Sequence, residues 1–299
     1  MKQAAWKARI KEVFMQAVFF IAACASILAV ILICVFLFAN GLPAIGKIGP
    51  MEFLLGTRWK PGNNIFGILP FILGSIYVTA GAILIGVPIG ILTSIFMAYY
   101  CPKKIYRPLK AATELLAGIP SVVYGFFGMV IVVPIIRDFG RTLKMMGLVE
   151  KSGDGKGILT TSIVLGMMIL PTIIGTTESA MRAVPPQYYE GSLALGATQE
   201  RSIFKVVIPA AKSGVITGIV LGIGRAIGET MAVMMVVGNQ PRIPGSILEG
   251  CRTLTTNIVM EMGYAADLHK EALIATAVVL FVFILIINLS FSALKRRGK

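Results

Sequence analysis

Five long stretches of this chain lack charge and a sixth carries only two charged residues, with polar segments between them. A hydrocarbon core about 30 Å thick is crossed by about 20 apolar helical residues. Ala17 to Ala39 meets that length on its own. Gly67 to Tyr100 exceeds one simple span and contains Pro70, Gly74, Gly81, Gly86, Pro88 and Gly90, so an oblique or interfacial start before a spanning helix is expected. Leu115 to Ile136, Ile158 to Thr177, Ser213 to Gly238 and Ala272 to Leu294 complete the set. Met145 to Gly157, with four glycines, reads as a flexible external loop, and Glu178 to Lys212 as a polar connection between the fourth and fifth spans. The pattern predicts an all-α integral membrane protein with six transmembrane helices.

Composition agrees. Of 299 residues, 56% are hydrophobic and 14% charged, against about 25% charged in a soluble domain. With a mean hydropathy of +0.83, this excludes a soluble globular enzyme, a disordered chain and a disulfide scaffold. The first span follows Lys2, Lys7, Arg9 and Lys11, but the apolar core of a cleaved signal is only about 7–15 residues, so this segment is expected to stay as an anchor.

The net charge of +14 becomes informative once it is distributed. With the amino terminus inside, each of the four inner segments holds four Lys or Arg, and the outer segments hold eleven between them. That bias places both termini in the cytoplasm and removes nucleic acid as an expected partner. The one remaining cation, Arg225, falls inside a span.

Catalytic and metal chemistry finds no support. His269, beside Asp267 and Lys270, has no histidine or cysteine partner in the sequence and reads as a solvated loop residue. Cys24, Cys34, Cys101 and Cys251 lack CxxC spacing and read as small packing residues. Gly41 to Lys47 has the spacing of a phosphate-cradling loop, but Ile48 stands where the magnesium-binding Ser or Thr belongs, and an apolar helix replaces the required strand. No metal, cofactor or ATP is expected to bind this chain.

The polar connection carries the first specific motif. Pro185 and Pro186 stop one helix and start another, Gly196 suits a left-handed helix end, Thr198 suits an N-cap, and Pro209 is expected to break the second short helix. Periodicity alone also allows an interfacial loop with snorkelling basic residues. The segment resembles the EAA loop of ABC importer permeases through Glu190, Gly196, Val206, Ile208 and Pro209, departing from it at Gly191 and Ser192 where alanine is usual. The resemblance, over Gly67 to Leu294, implies a type I ABC importer permease fold. It also implies that the loop, about residues 182–212, docks on a separate cytoplasmic ATPase.

The fifth span carries the second. Gly214, Gly218 and Gly222 repeat every four residues, and at about 100° per residue Arg225 and Glu229 share their face. A buried charge is costly in a membrane, so an Arg225–Glu229 salt bridge is one reading, and an anion pathway lined by the pair is the other. Arginine's forked donors suit an oxyanion such as phosphate. The run Arg225-Ala-Ile-Gly-Glu229-Thr-Met-Ala-Val, with Glu114 to Gly125, resembles permeases of the phosphate-specific (Pst) importers, nearer the PstC-type subunit than the PstA-type. That resemblance implies roles in phosphate passage for Arg225 and Glu229, with Ser121 and Tyr124 as further pathway candidates. It also implies a PstA-type permease, a PstB-type ATPase dimer using ATP and a PstS-type external phosphate-binding protein as partners.

The expected layout is an amino-terminal helix and external loop (1–66), a permease domain (67–294) and a basic cytoplasmic tail (295–299), in a bacterial or archaeal inner membrane. The chain is expected to be a non-enzymatic subunit. A permease for sulfate or molybdate, and an ATP-independent anion channel or carrier, stay open as alternatives.

Overall fold

The computed structural model describes residues 2–297, with side chains for residues 11–290 and 293. Positions 298–299 of the basic tail, and the side chains of Lys2, Lys7, Arg9, Lys295, Arg296 and Arg297, lie outside that description. Six helices among the described residues are long and apolar enough to cross a membrane. The protein is a multi-pass membrane protein, and its architecture is all-α apart from one two-residue hairpin.

Helix α1 (Lys2–Ile48) continues beyond its apolar stretch in both directions and faces outward along most of its length. Its carboxyl end packs on α13 (Asp267–Arg297): Gly41 lies against Ala275 and Val278, and Phe38 meets Phe281 edge-on at 5.9 Å. The phosphate-loop look-alike is therefore plain helix. A short α2 (Pro50–Leu55) leads to the antiparallel strands β1 (Trp59–Lys60) and β2 (Ile65–Phe66), turned by Asn64 at φ 53°.

The second apolar stretch has no separate oblique start. Helix α3 (Leu69–Ile95) runs unbroken past Pro88 and ends in a wide π turn at Phe96–Tyr100. Pro70 sits in the first turn, where its missing N–H costs nothing. The third stretch does break. Amphipathic α4 (Lys103–Gly118) stops before Pro120, and α5 (Ser121–Phe127), a π turn (Gly128–Val132) and α6 (Val133–Met145) form the span that follows.

Helix α7 (Ile158–Arg182) is the axis of the bundle, because small residues let both neighbours approach it. Gly86 and Gly90 of α3 sit against Ile169 and Ile173, where an added Cβ would come within 2.8 and 2.7 Å of those side chains. On the other side lies α10 (Ile208–Gly228), whose Gly214, Gly218 and Gly222 face Ala180, Thr176 and Ile173.

Two expectations about loops need correction. The stretch before α7 is not uniformly loose: Gly155 and Gly157 are buried, and Gly157, Ile158 and Leu159 donate N–H bonds to Val236, Glu249 and Ile247 at 2.9–3.2 Å. The polar connection starts later than the charge pattern says. Helix α7 extends to Arg182, so Glu178 lies within it and is buried.

Candidate functional site

The loop after α7 folds as its residues dictate. Helix α8 (Pro186–Ala194) starts on Pro186, and Gly196 takes φ +86°, a left-handed conformation strained for any residue with a side chain. Helix α9 (Gln199–Ser202) is capped by Thr198, whose Oγ1 accepts from Arg201 N at 3.3 Å. The two helices are tied by Ser202 Oγ donating to Ser192 Oγ at 2.9 Å, so the departure from alanine at 192 supplies a cross-link. Gly191 has open space around it, Glu190 is exposed, and Leu195 projects 91% exposed beside the glycine bend.

Pro209 does not break the chain here. A π turn at Ile203–Val207, closed by Ile208 N donating to Ile203 O, opens the helix one residue ahead of the proline. The ring then escapes the clash that an ordinary turn would impose, and Gln199 to Gly228 forms one apolar helix. Val206 and Ile208 lie within this junction, so a continuous helix joins the loop to the span.

The charged pair is arranged differently from the helical projection. Helix α10 ends at Gly228, Glu229 is extended (ψ 132°), and the short α11 (Met231–Val236) begins after the break. Glu229 Oε1 accepts from Ala232 N at 3.1 Å and its carbonyl accepts from Thr255 Oγ1 at 3.1 Å. No ion pair joins Arg225 to Glu229 or to another carboxylate among the described residues. The salt-bridge reading fails for this conformation. The glycine seam, for its part, faces α7 inside the chain rather than a pathway.

Arg225 is half-buried in the last turn of α10, within electrostatic range of Tyr124. Tyr124 packs in the same core as Ala226, Ala232 and Val233, and Gly125 lies against Ala232. The Tyr124 hydroxyl donates to Leu116 O at 2.9 Å, holding the end of α4 across the Pro120 break. Ser121, half-buried, opens α5 immediately after that break. Two helix discontinuities, at Ile119–Pro120 and Glu229–Thr230, thus bring Ser121, Tyr124, Arg225 and Glu229 into one region. Glu190, Gly196, Val206, Ile208 and Pro209 belong to the other end of the bundle.

Two buried polar clusters escaped the sequence reading. In the first, Glu178 of α7 accepts from Tyr106 Oη (2.6 Å), Lys110 Nζ (2.9 Å) and Arg182 Nε (2.8 Å). Hydrogen bonding to this carboxylate raises the Tyr106 phenol and the Lys110 ammonium above their ordinary pKa values. In the second, Glu261 of α12 (Leu254–Met262) accepts from Arg252 Nη1 (2.6 Å) and Trp59 Nε1 (2.8 Å) and bonds His269 Nε2 (2.8 Å). His269 is therefore no solvated loop residue: it sits in the first turn of α13, stacked on Phe66 at 6.1 Å. The signal available in the sequence was the acid–base spacing Glu178–Arg182, one helical turn, whereas Arg252, Glu261 and Trp59 meet only through the fold. Of the cysteines, Cys251 is buried and Cys24 faces outward.

Comparison with known proteins assigns the family. Residues 90–299, which hold the α8–α9 loop, Tyr124 and Arg225, match the family of binding-protein-dependent transport system inner membrane components. The chain belongs to that family. This permease is 40% identical over 280 residues to the probable ABC transporter permease protein YqgH of Bacillus subtilis, covering 90% of this chain and 87% of the relative. It is 37% identical over 276 residues to the phosphate transport system permease protein PstC of Mesorhizobium japonicum, covering 88% and 84%. In fold it is similar to a chain of the inward-facing MetNI methionine ABC transporter, with a TM-score of 0.59 at 18% identity over 81% of this chain and 100% of that one. A chain of a bacterial alginate ABC transporter gives a TM-score of 0.56 at 17% identity over 91% and 94%. The fold is therefore that of a type I ABC importer permease.

Proposed function

We propose that this permease is one half of the translocation pore of an ATP-driven importer of inorganic phosphate. The observation that carries the substrate reading is Arg225: a half-buried guanidinium without a carboxylate partner among the described residues, at a helix break beside Tyr124, leaves its donors for an anion. Relatives named as phosphate transport permeases support phosphate as that anion. Glu229 stands at the break and competes for the guanidinium when the helices rearrange, while Ser121 lines the opposite break. The α8–α9 loop, with Glu190, Gly196, Val206, Ile208 and Pro209, docks on a PstB-type ATPase dimer, and ATP-driven closure of that dimer moves α10 as a rigid extension of the loop. A PstA-type permease completes the pore, and a PstS-type protein delivers phosphate on the outer face. Both termini lie in the cytoplasm, and ATP chemistry stays in the partner.

The test is reconstitution of the four-component transporter in vesicles with radiolabelled phosphate. Arg225→Gln lowers uptake about 10–100-fold, the value of a charge-assisted hydrogen bond of about 1.5–3 kcal/mol, while the complex assembles. Uptake near the wild-type rate would remove Arg225 from the pathway. Competition by sulfate or molybdate as strong as that by unlabelled phosphate would overturn the substrate, and uptake by this chain without the ATPase would overturn the coupling.

A further inference from the structure

The cluster around Glu178 lies between the two functional regions and belongs to neither. Its carboxylate is 1% exposed, and both oxygens are engaged. Two of its donors, Tyr106 and Lys110, come from α4, and the third, Arg182, closes α7 three residues before Pro185 opens the loop. We propose that Glu178 is a positioning residue that couples the α8–α9 loop to α4 and, through α4, to the helix break beside Arg225; the idea rests on the importer reading above.

Helix α4 is held differently from its neighbours. That helix has no buried residue, whereas α3, α7 and α10 are each packed through several. Its attachment to α7 is therefore mainly ionic and directional. Burying a carboxylate is expensive, and an apolar seam would fasten two helices at least as well. Hydrogen bonds with strict geometry differ from apolar packing in having discrete made and broken states, which is what a moving joint needs.

Connections run from this joint in both directions. Arg182 Nη2 donates to Met97 O at 2.9 Å, and its guanidinium stacks 4.6 Å over the Tyr106 ring. Met97 belongs to the π turn that ends α3, and Tyr99 of the same turn meets Tyr189 of α8 with ring centres 5.1 Å apart. At the far end of α4, Leu116 O is held by Tyr124 beside Arg225. A displacement of α8 thus pulls on Arg182 and the π turn together, and Glu178 passes it to α4.

The test uses the complete transporter in vesicles, with phosphate uptake and ATP hydrolysis measured in the same preparation. Wild-type vesicles that take up no phosphate refute the importer reading itself. Given wild-type uptake, Glu178→Gln keeps the shape of the side chain but leaves Lys110 and Arg182 without their counter-charge. The complex still elutes intact, ATP hydrolysis becomes insensitive to the loaded binding protein, and phosphate moved per ATP falls about tenfold. Tyr106→Phe removes one hydroxyl and lowers the same ratio by a smaller factor, and it decides the matter if the Gln variant fails to assemble. A purely structural anchor would lower uptake and hydrolysis in proportion. Ratios within about twofold of wild type in the assembled variants would overturn the proposal.

Discussion

Replacing Glu261 by leucine tests whether the end of the fold around α12 depends on its buried charge. The carboxylate is 8% exposed and pairs at 2.6 Å with Arg252, itself 11% exposed. Loss of the carboxylate strands the guanidinium and the Trp59 N–H and removes the His269 partner, while Arg252 keeps Asn257 Oδ1 and Asn239 O. Breaking a buried pair on one side costs about 3–5 kcal/mol. At about 2 °C per kcal/mol for a chain of this size, Tm falls about 6–10 °C. The assay is thermal unfolding in detergent followed by Trp59 fluorescence in a Trp6→Phe background, since the chain has two tryptophans. Adding Arg252→Met to the leucine variant recovers most of the loss, because the uncompensated charge goes with it. Glu271→Leu is the control: its pair with Lys47 is equally short, but the side chains are 57% and 38% exposed, and Tm moves little. A shift below about 2 °C for Glu261→Leu, or no recovery in the double variant, would refute the reasoning.

Three further outcomes follow from the geometry. Burial pushes the Cys251 thiol up to about 12, so about one in ten thousand is ionised at pH 8 and iodoacetamide leaves its peptide unmodified by mass spectrometry; alkylation as fast as at Cys101 would contradict this. Glu249 is held below the usual carboxylate range chiefly by Gly245 N–H, with Lys151 and Arg242 assisting. Its contribution is complete above the ordinary value of 4.5 and is lost as pH falls through the depressed one, so Glu249→Gln flattens the acid limb of a stability profile below pH 4.5, and an unaltered limb would count against it. Gly196→Val forces a β-branched residue to φ +86°, costing about 1–2 kcal/mol, and reduces binding-protein-stimulated ATP hydrolysis in the reconstituted transporter; full stimulation would detach that bend from coupling.

The spans were legible because crossing a membrane depends on a property each residue carries by itself. About 20 apolar residues in a row bury their own backbone polarity in a helix whatever lies beside them. The loop motif was legible for a similar reason: Pro186, Gly196 and Thr198 act on backbone within a few positions, and each took the expected role. Pro209 did not, because a local rule cannot anticipate a π turn one residue earlier. Glu229 was misplaced, since a helical projection assumes a helix that continues past Gly228, whereas Arg225 lies inside α10, where the projection applies.

What the sequence determined by itself was the number of spans, the family and the residues that shape the loop. Tertiary structure decided which charges meet. Glu178 finds Tyr106 and Lys110 some seventy residues away, and Glu261 finds Trp59 across about two hundred, where no spacing rule operates. It decided equally which charges stay unmatched, leaving Arg225 without a carboxylate among the described residues, at a helix break. The reason is the dielectric: in an apolar interior a charge must be paired or be functional, and only the packed helices settle which.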